Sequence, residues 1–128
     1  MIASFVGFSQ NMLTIEAENV VSSEGYIAVG VYSNADDFLK EGKAFAGTFE
    51  MSKEGTTTIK IPNLPDGTYA ISIFHDGNGN KKLDTNFLGI PKESCAFSNA
   101  KMKTFGPPDF EECHFILAGD YTITIPFD

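Results

Sequence analysis

The sequence predicts an all-β fold: an antiparallel two-sheet sandwich of about seven strands, immunoglobulin-like or prealbumin-like, with one short helix and one long ordered loop. Three observations lead there. Short runs of alternating apolar and polar residues recur along the chain, which is the pattern of strands with one face buried. Turn-forming clusters separate those runs at intervals typical of sandwiches. The 128 residues are 42% hydrophobic with 12 Phe, enough to fill one core without help from a metal or a partner.

Residues 1–10, Met1 to Gln10, are apolar and lack the period-two alternation of the strands after them. They read either as the back half of a secretory signal with its cleavage site or as a first edge strand. Residues 11–128 read as a single β-sandwich domain. In its first strand Leu13, Ile15 and Ala17 face one way, and Thr14, Glu16 and Glu18 the other. Ser22-Ser23-Glu24-Gly25 turns the chain. From Tyr26 to Tyr32 every residue is apolar or small, as in a mid-sheet strand covered on both faces.

Ser33 to Gly42 changes period. Ser33 or Asn34 would cap a short helix, Asp36 and Asp37 lie in its first turn, and Gly42 stops it. Phe45, Gly47, Phe49 and Met51 alternate again, and with Thr57 to Ile61 they read as a hairpin across Lys53-Glu54-Gly55. Leu64-Pro65-Asp66-Gly67 is a turn in which proline presets one dihedral and glycine supplies another. It launches a second central strand, Tyr69 to Phe74. A long irregular stretch runs from Asp76 to Glu112, and Phe115 to Leu117 with Tyr121 to Phe127 read as a last hairpin.

Charge narrows the function. The net charge is -8 and all nine basic residues are lysines, so the arginine forks that read phosphates and guanine edges are absent and nucleic acid is not an expected partner. No segment approaches the roughly 20 apolar residues of a membrane span. Cys95 and Cys113 form either one bridge in an oxidising compartment or two small buried thiols.

The long loop opens with a pattern of oxygens. Asp76, Asn78, Asn80 and Asp84 occupy the first, third, fifth and ninth positions of a calcium-type loop, and the Lys82 carbonyl stands at the seventh. Such spacing suits a hard cation because alternate side chains turn toward one centre. The same residues also suit ordinary turns, in which Asx side chains bond their own backbone. Lys81 stands where glycine makes the sharp bend, and Phe87 where a bidentate Glu closes the sphere. Further ligands would come from Asn86, Glu93, Asp109, Glu111, Glu112 or water. The expected cofactor is calcium, held weakly at about 0.1 to 1 mM as in extracellular modules.

His75 and His114 could in principle serve Cys95 or Cys113 as a base, but isolated histidines and cysteines are usually structural. The rings of Phe105 and Phe110 either present a surface to a sugar or peptide or plug an open end of the sandwich.

Several segments together carry a resemblance. They are Asn63 to Ala70, Phe74-His75-Asp76, Asn78-Gly79-Asn80, Leu83 to Glu93, Phe97-Ser98-Asn99 and Phe105-Gly106-Pro107-Pro108. In these, from Leu13 to Ile125, the chain resembles the uncharacterised bacterial family catalogued as domain of unknown function 2141. The resemblance implies an exported protein and no known activity. That family usually has glycine where this chain has Lys81 and lacks Cys95 and Cys113, so neither the loop geometry nor a bridge is implied by it. The Leu-Pro-x-Gly-x-Tyr turn also resembles the strand entry of transthyretin-like, collagen-adhesin B-type and carboxypeptidase-regulatory sandwiches, which speaks to the fold alone. The transthyretin-like hydrolases of hydroxyisourate need an arginine, and this chain has none. The expectation is therefore a periplasmic or extracellular binding or structural module with a protein or carbohydrate partner. The alternative is a hydrolase using loop 75–112.

Overall fold

The computed structural model describes residues 10–40, 42–77, 94–103 and 106–127. Two sheets face each other. Strands β1 (Asn11–Val20), β4 (Gly55–Leu64) and β8 (Tyr121–Pro126) form a three-stranded sheet in the order β4-β1-β8. The other sheet runs β3 (Ala46–Met51), β2 (Tyr26–Tyr32), β5 (Gly67–Asp76) and β6 (Cys95–Phe97), and β7 (Phe115–Leu117) pairs with the start of β5. A four-residue helix, α1 (Phe110–Cys113), precedes β7.

The alternation read from the sequence builds the core. Leu13, Ile15 and Ala17 of β1 meet Ile27, Val29 and Val31 of β2, with Ile59, Ile71, Ile73, Leu117 and Ile125 around them. All of these are buried, and their removal from water is the main force holding the sheets together. β2 and β5 are central as expected, each flanked on both sides by paired strands. β1 ends where Asn19, at φ 63, donates its side-chain N–H to the Phe127 carbonyl (2.9 Å).

Two pairings differ from the sequence reading. Residues 45–51 and 57–61 do not form a hairpin: β3 pairs with β2, and the chain then crosses to the other sheet, where β4 pairs with β1. The crossing is fastened by Thr57, whose buried hydroxyl accepts from Lys53 N–H and donates to Lys53 C=O, both at 2.9 Å. Nor do β7 and β8 form a hairpin, because β7 joins β5 while β8 runs parallel to β1 from Leu13↔Tyr121 to Glu18↔Pro126. Period-two alternation fixes which face a strand buries but not its neighbour.

The helix lies elsewhere as well. Residues 33–34 bend and residues 35–39 are consecutive turns, with Phe38 N–H on Ala35 C=O (3.3 Å) and Lys40 N–H on Asp37 C=O (3.0 Å). The Asn34 cap does form, its Oδ1 accepting from Asp37 N–H at 2.9 Å. A segment this short gains little from helical bonds alone, and Leu39 at φ 64 leaves the helical path so that it and its neighbour Phe38 both reach apolar ground. They pack on the outer face of the five-stranded sheet with Tyr32, Ala70, Phe97, Phe110 and Cys113, a second small core. Its rings meet edge to face, Phe38 with Tyr32 at 5.3 Å and with Phe110 at 5.8 Å. Gly30 makes room for this, since a methyl group there would stand 3.0 Å from the Tyr32 ring.

The Leu64-Pro65 turn closes on itself. The Tyr69 hydroxyl donates to the Pro65 carbonyl at 2.7 Å, a corner of the kind that sandwiches use to fix a strand entry. Burial, and secondarily the nearby Asp66 charge, push the Tyr69 phenol above its ordinary value. Tyr69→Phe keeps the ring and loses the bond, so urea unfolding should show a loss of about 1 kcal/mol.

Candidate functional site

β5 carries the chain to the expected metal loop. At its end Asp76 is fully buried, opposite Tyr26 of β2, on the face away from the main core. Its backbone is clamped from the side by the turn at residues 22–25. His75 donates Nε2–H to the Glu24 carbonyl (2.8 Å), and Ser52 N–H reaches the Gly25 carbonyl (3.0 Å). Ser52 Oγ donates to the Ser22 carbonyl (2.6 Å), and Ser23 Oγ accepts from Glu54 N–H (2.9 Å). Gly25, at φ +75, lies so close that a Cβ there would meet the Asp76 carbonyl oxygen at 1.9 Å.

Of the expected ligands, Asp76 alone is among the described residues; Asn78, Asn80, Lys82 and Asp84 lie outside them, as do Asn86 and Glu93. Two of the proposed extra ligands have other duties. Asp109 caps α1, its carboxylate accepting from Glu112 N–H (3.2 Å) while Glu112 Oε1 accepts from Asp109 N–H (3.0 Å). Glu112 also pairs with Lys103 at 2.7 Å. The Lys103 bond, followed by the Asp109 N–H, holds the Glu112 carboxyl below its ordinary value, and the same Glu112 bond raises the Lys103 ammonium. Among the described residues, no three His, Cys, Asp or Glu side chains converge as metal ligands would.

The thiol chemistry is equally accounted for. Cys95 and Cys113 are not bridged to one another; Cys113 is buried and Cys95 half-buried. Burial, reinforced by Glu112 and Asp109, pushes the Cys113 thiol up to about 11, the reverse of an activated nucleophile. His75 is held by Glu24 as above. His114 donates Nδ1–H to the Glu111 carbonyl (2.7 Å) and stacks on Phe110. Phe110 is itself buried, so this ring of the Gly106-Pro107-Pro108 segment packs inward and plugs the second core.

Sequence reading passed over Ser98. At the end of β6 its N–H donates to the Ile71 carbonyl (3.0 Å), and its hydroxyl both accepts from Ile71 N–H (2.9 Å) and donates to the Cys113 carbonyl (2.7 Å). The hydroxyl thus stands in for its own main-chain carbonyl, and the chain can turn away at Asn99, φ 58. The signal lay in Phe97-Ser98-Asn99, a run with a small polar residue between a core ring and an Asx turn former. Beside it a cavity of about 230 Å³ opens between the edges of the two sheets, lined by Phe97, Asn99, Ala100, Lys101, Thr124 and Pro126.

These features define a class: an all-β two-sheet sandwich with one short helix. The chain belongs to the bacterial family described as "Uncharacterized protein conserved in bacteria (DUF2141)", whose model matches residues 15–125. No curated protein and no solved structure matches it. No described helix is long and apolar enough to cross a membrane.

Proposed function

We propose that this protein is a non-catalytic binding or structural module working in the periplasm or outside the cell, braced by calcium in the 76–84 loop. One observation carries the reading: Asp76, the first position of the calcium-type spacing, is wholly buried at the end of β5 with its main chain clamped by residues 22–25. A first ligand fixed in this way lowers the ordering cost of the others. Asn78, Asn80, the Lys82 carbonyl and Asp84 would complete the set in this reading. With two carboxylates and two lysines in the segment, binding is weak and the ion is a brace, not a switch. Support for a non-catalytic role comes from the histidines, each tied to a backbone carbonyl, and from the unactivated Cys113 thiol. The apolar stretch in residues 1–10 favours export, and the net charge of -8 suits a divalent cation.

Calcium titration followed by thermal melting tests the site. At about 10 mM calcium and a dissociation constant of about 0.1 to 1 mM, stabilisation should be about 1.4 to 2.7 kcal/mol. That corresponds to a rise of roughly 5 to 10 °C in Tm. Asp84→Asn should abolish the rise while leaving the metal-free Tm nearly unchanged. Equal melting in calcium and in EDTA would remove the ion from the reading.

A further inference from the structure

Sheet edges offer backbone donors and acceptors to other chains, and β8 offers its own beside the cavity described above. Among the described residues β8 pairs with β1 alone. The residue that follows it sets the phase of the ladder. Phe127 donates its N–H to the Glu18 carbonyl (2.9 Å) and its own carbonyl accepts from the Asn19 side chain (2.9 Å), so both of its main-chain groups face β1. Successive residues of a strand turn these groups to opposite sides, so Tyr121, Ile123 and Ile125 also bond β1. Thr122 and Thr124 then send N–H and C=O outward, and Pro126 its carbonyl alone. The side chains of these three are exposed on the outer face of the three-stranded sheet.

The cavity lies at that edge. Thr124 and Pro126 of β8 line it on one side, Phe97 and Ala100 on the other. Its volume of about 230 Å³ falls below the ~300 to 1,000 Å³ of pockets that enclose a whole small molecule, so it suits a single side chain. A one-residue apolar pocket next to outward backbone groups is what strand addition uses: main-chain bonds hold the peptide and the pocket selects its sequence. Thr124 belongs to both parts, its side chain lining the cavity and its main chain facing outward. We propose that β8 receives an extended peptide of a partner protein as an added antiparallel strand, in which an apolar residue opposite Thr124 fills the cavity and a basic residue stands two positions before it.

Charge selects the basic residue and its place. Two positions before the apolar one, it lies opposite Pro126, whose neighbour across the ladder is the exposed Glu18; Glu16 is the neighbour of Thr124. Neither β1 nor β8 carries a lysine, and the net charge of -8 draws a basic segment and repels an acidic one. Lys101 lines the cavity itself, which keeps a cation out of it and leaves the basic residue to flank. This gives the module proposed above a partner and a surface; it rests on the binding role in that reading and needs no calcium.

An array of immobilised heptapeptides, with the central residue varied and the second either Lys or Glu, tests this with the labelled full chain in EDTA. Peptides with an apolar centre after lysine should bind at about 10 to 100 µM, as suits a small contact. Aspartate at the centre, or glutamate at the second position, should weaken binding at least about tenfold. Thr124→Trp fills the cavity from an exposed position and should also weaken it at least about tenfold. Thr58→Trp, on the same face at the far edge of the sheet, should leave it unchanged. Amide exchange reads the register: Thr122 and Thr124 should exchange fast in the unbound protein and become protected by the peptide, while Ile123 and Ile125 stay slow in both. The inference is overturned by no peptide binding, by binding that ignores the central residue, by equal binding of the parent and Thr124→Trp, or by unbound Thr122 and Thr124 amides as slow as Ile123. The calcium melt separates the two readings. A rise in Tm without peptide binding removes this edge and leaves the brace, and peptide binding without a rise does the reverse.

Discussion

Gly25→Ala is expected to cost about 3 kcal/mol or more, the largest loss from adding a methyl group to any of the described glycines. Two terms combine. At φ +75 any side chain is in the left-handed region, worth about 1 to 2 kcal/mol against a non-glycine residue. The methyl group would also stand 1.9 Å from the Asp76 carbonyl oxygen and 2.9 Å from the carbonyl carbons of Asp76 and Gly77. All three are backbone atoms, so no rotamer change relieves the contact, and either the turn or the end of β5 must move. In glycine the hydrogen at that position faces the oxygen, a weak C–H···O contact in place of a clash. Gly42 separates the two terms. Its φ is +77, with nothing within 4 Å of the added carbon, so Gly42→Ala should cost only the dihedral term of about 1 to 2 kcal/mol. Urea unfolding of both variants measures the difference, and equal losses would mean that the turn does not clamp Asp76.

This clamp shows where sequence reasoning stops. Alternation was sufficient to find β1, β2 and β5 and to assign their buried faces, because Leu13, Ile15 and Ala17 obey the strand period and Tyr26–Tyr32 is apolar throughout. Alternation says nothing about neighbours, so the chain crossing at Ser52 and the parallel entry of β8 were invisible. The helix expectation failed for a local reason. Caps and acids were present at residues 33–42, but a segment this short gains little from helical bonds alone, and Leu39, at φ 64, leaves the helical path with Phe38 and Leu39 both packed against the second core. The actual helix is a capping box, Asp109 to Glu112, hidden among residues that looked like spare ligands. At the site, oxygen spacing located Asp76 at a strand end, while the turn that holds it is distant in sequence and had no motif.

The segments that resemble the family divide along the same line. Leu64 to Tyr69 is a hydrogen-bonded corner, Phe97-Ser98-Asn99 closes one side of β5, and Pro108, fully buried, leads into the cap of α1. Each of these recurrent runs has a structural reason. Asn78-Gly79-Asn80 and Leu83 to Glu93 lie outside the described residues.

Ser98→Ala is the second large effect expected, about 2 to 4 kcal/mol for the loss of one oxygen atom. Ser98 is fully buried, and its hydroxyl is the acceptor for Ile71 N–H and the donor to the Cys113 carbonyl. Removing it leaves two main-chain groups without their partner, at about 1 to 3 kcal/mol each when buried. The loss falls where β6 and α1 both end, so β5 loses its hold on both at once. Hydrogen exchange gives a readout that a change in packing would not, because the Ile71 amide should exchange markedly faster relative to its neighbours in β5. Thr58→Ala is the contrast: its hydroxyl donates to Glu16 at 2.9 Å on the exposed face of the other sheet, and its loss should stay within about 0.5 kcal/mol. A cost below about 1 kcal/mol for Ser98→Ala, with Ile71 protection unchanged, would show that another group takes over both bonds and that the hydroxyl does not join these elements.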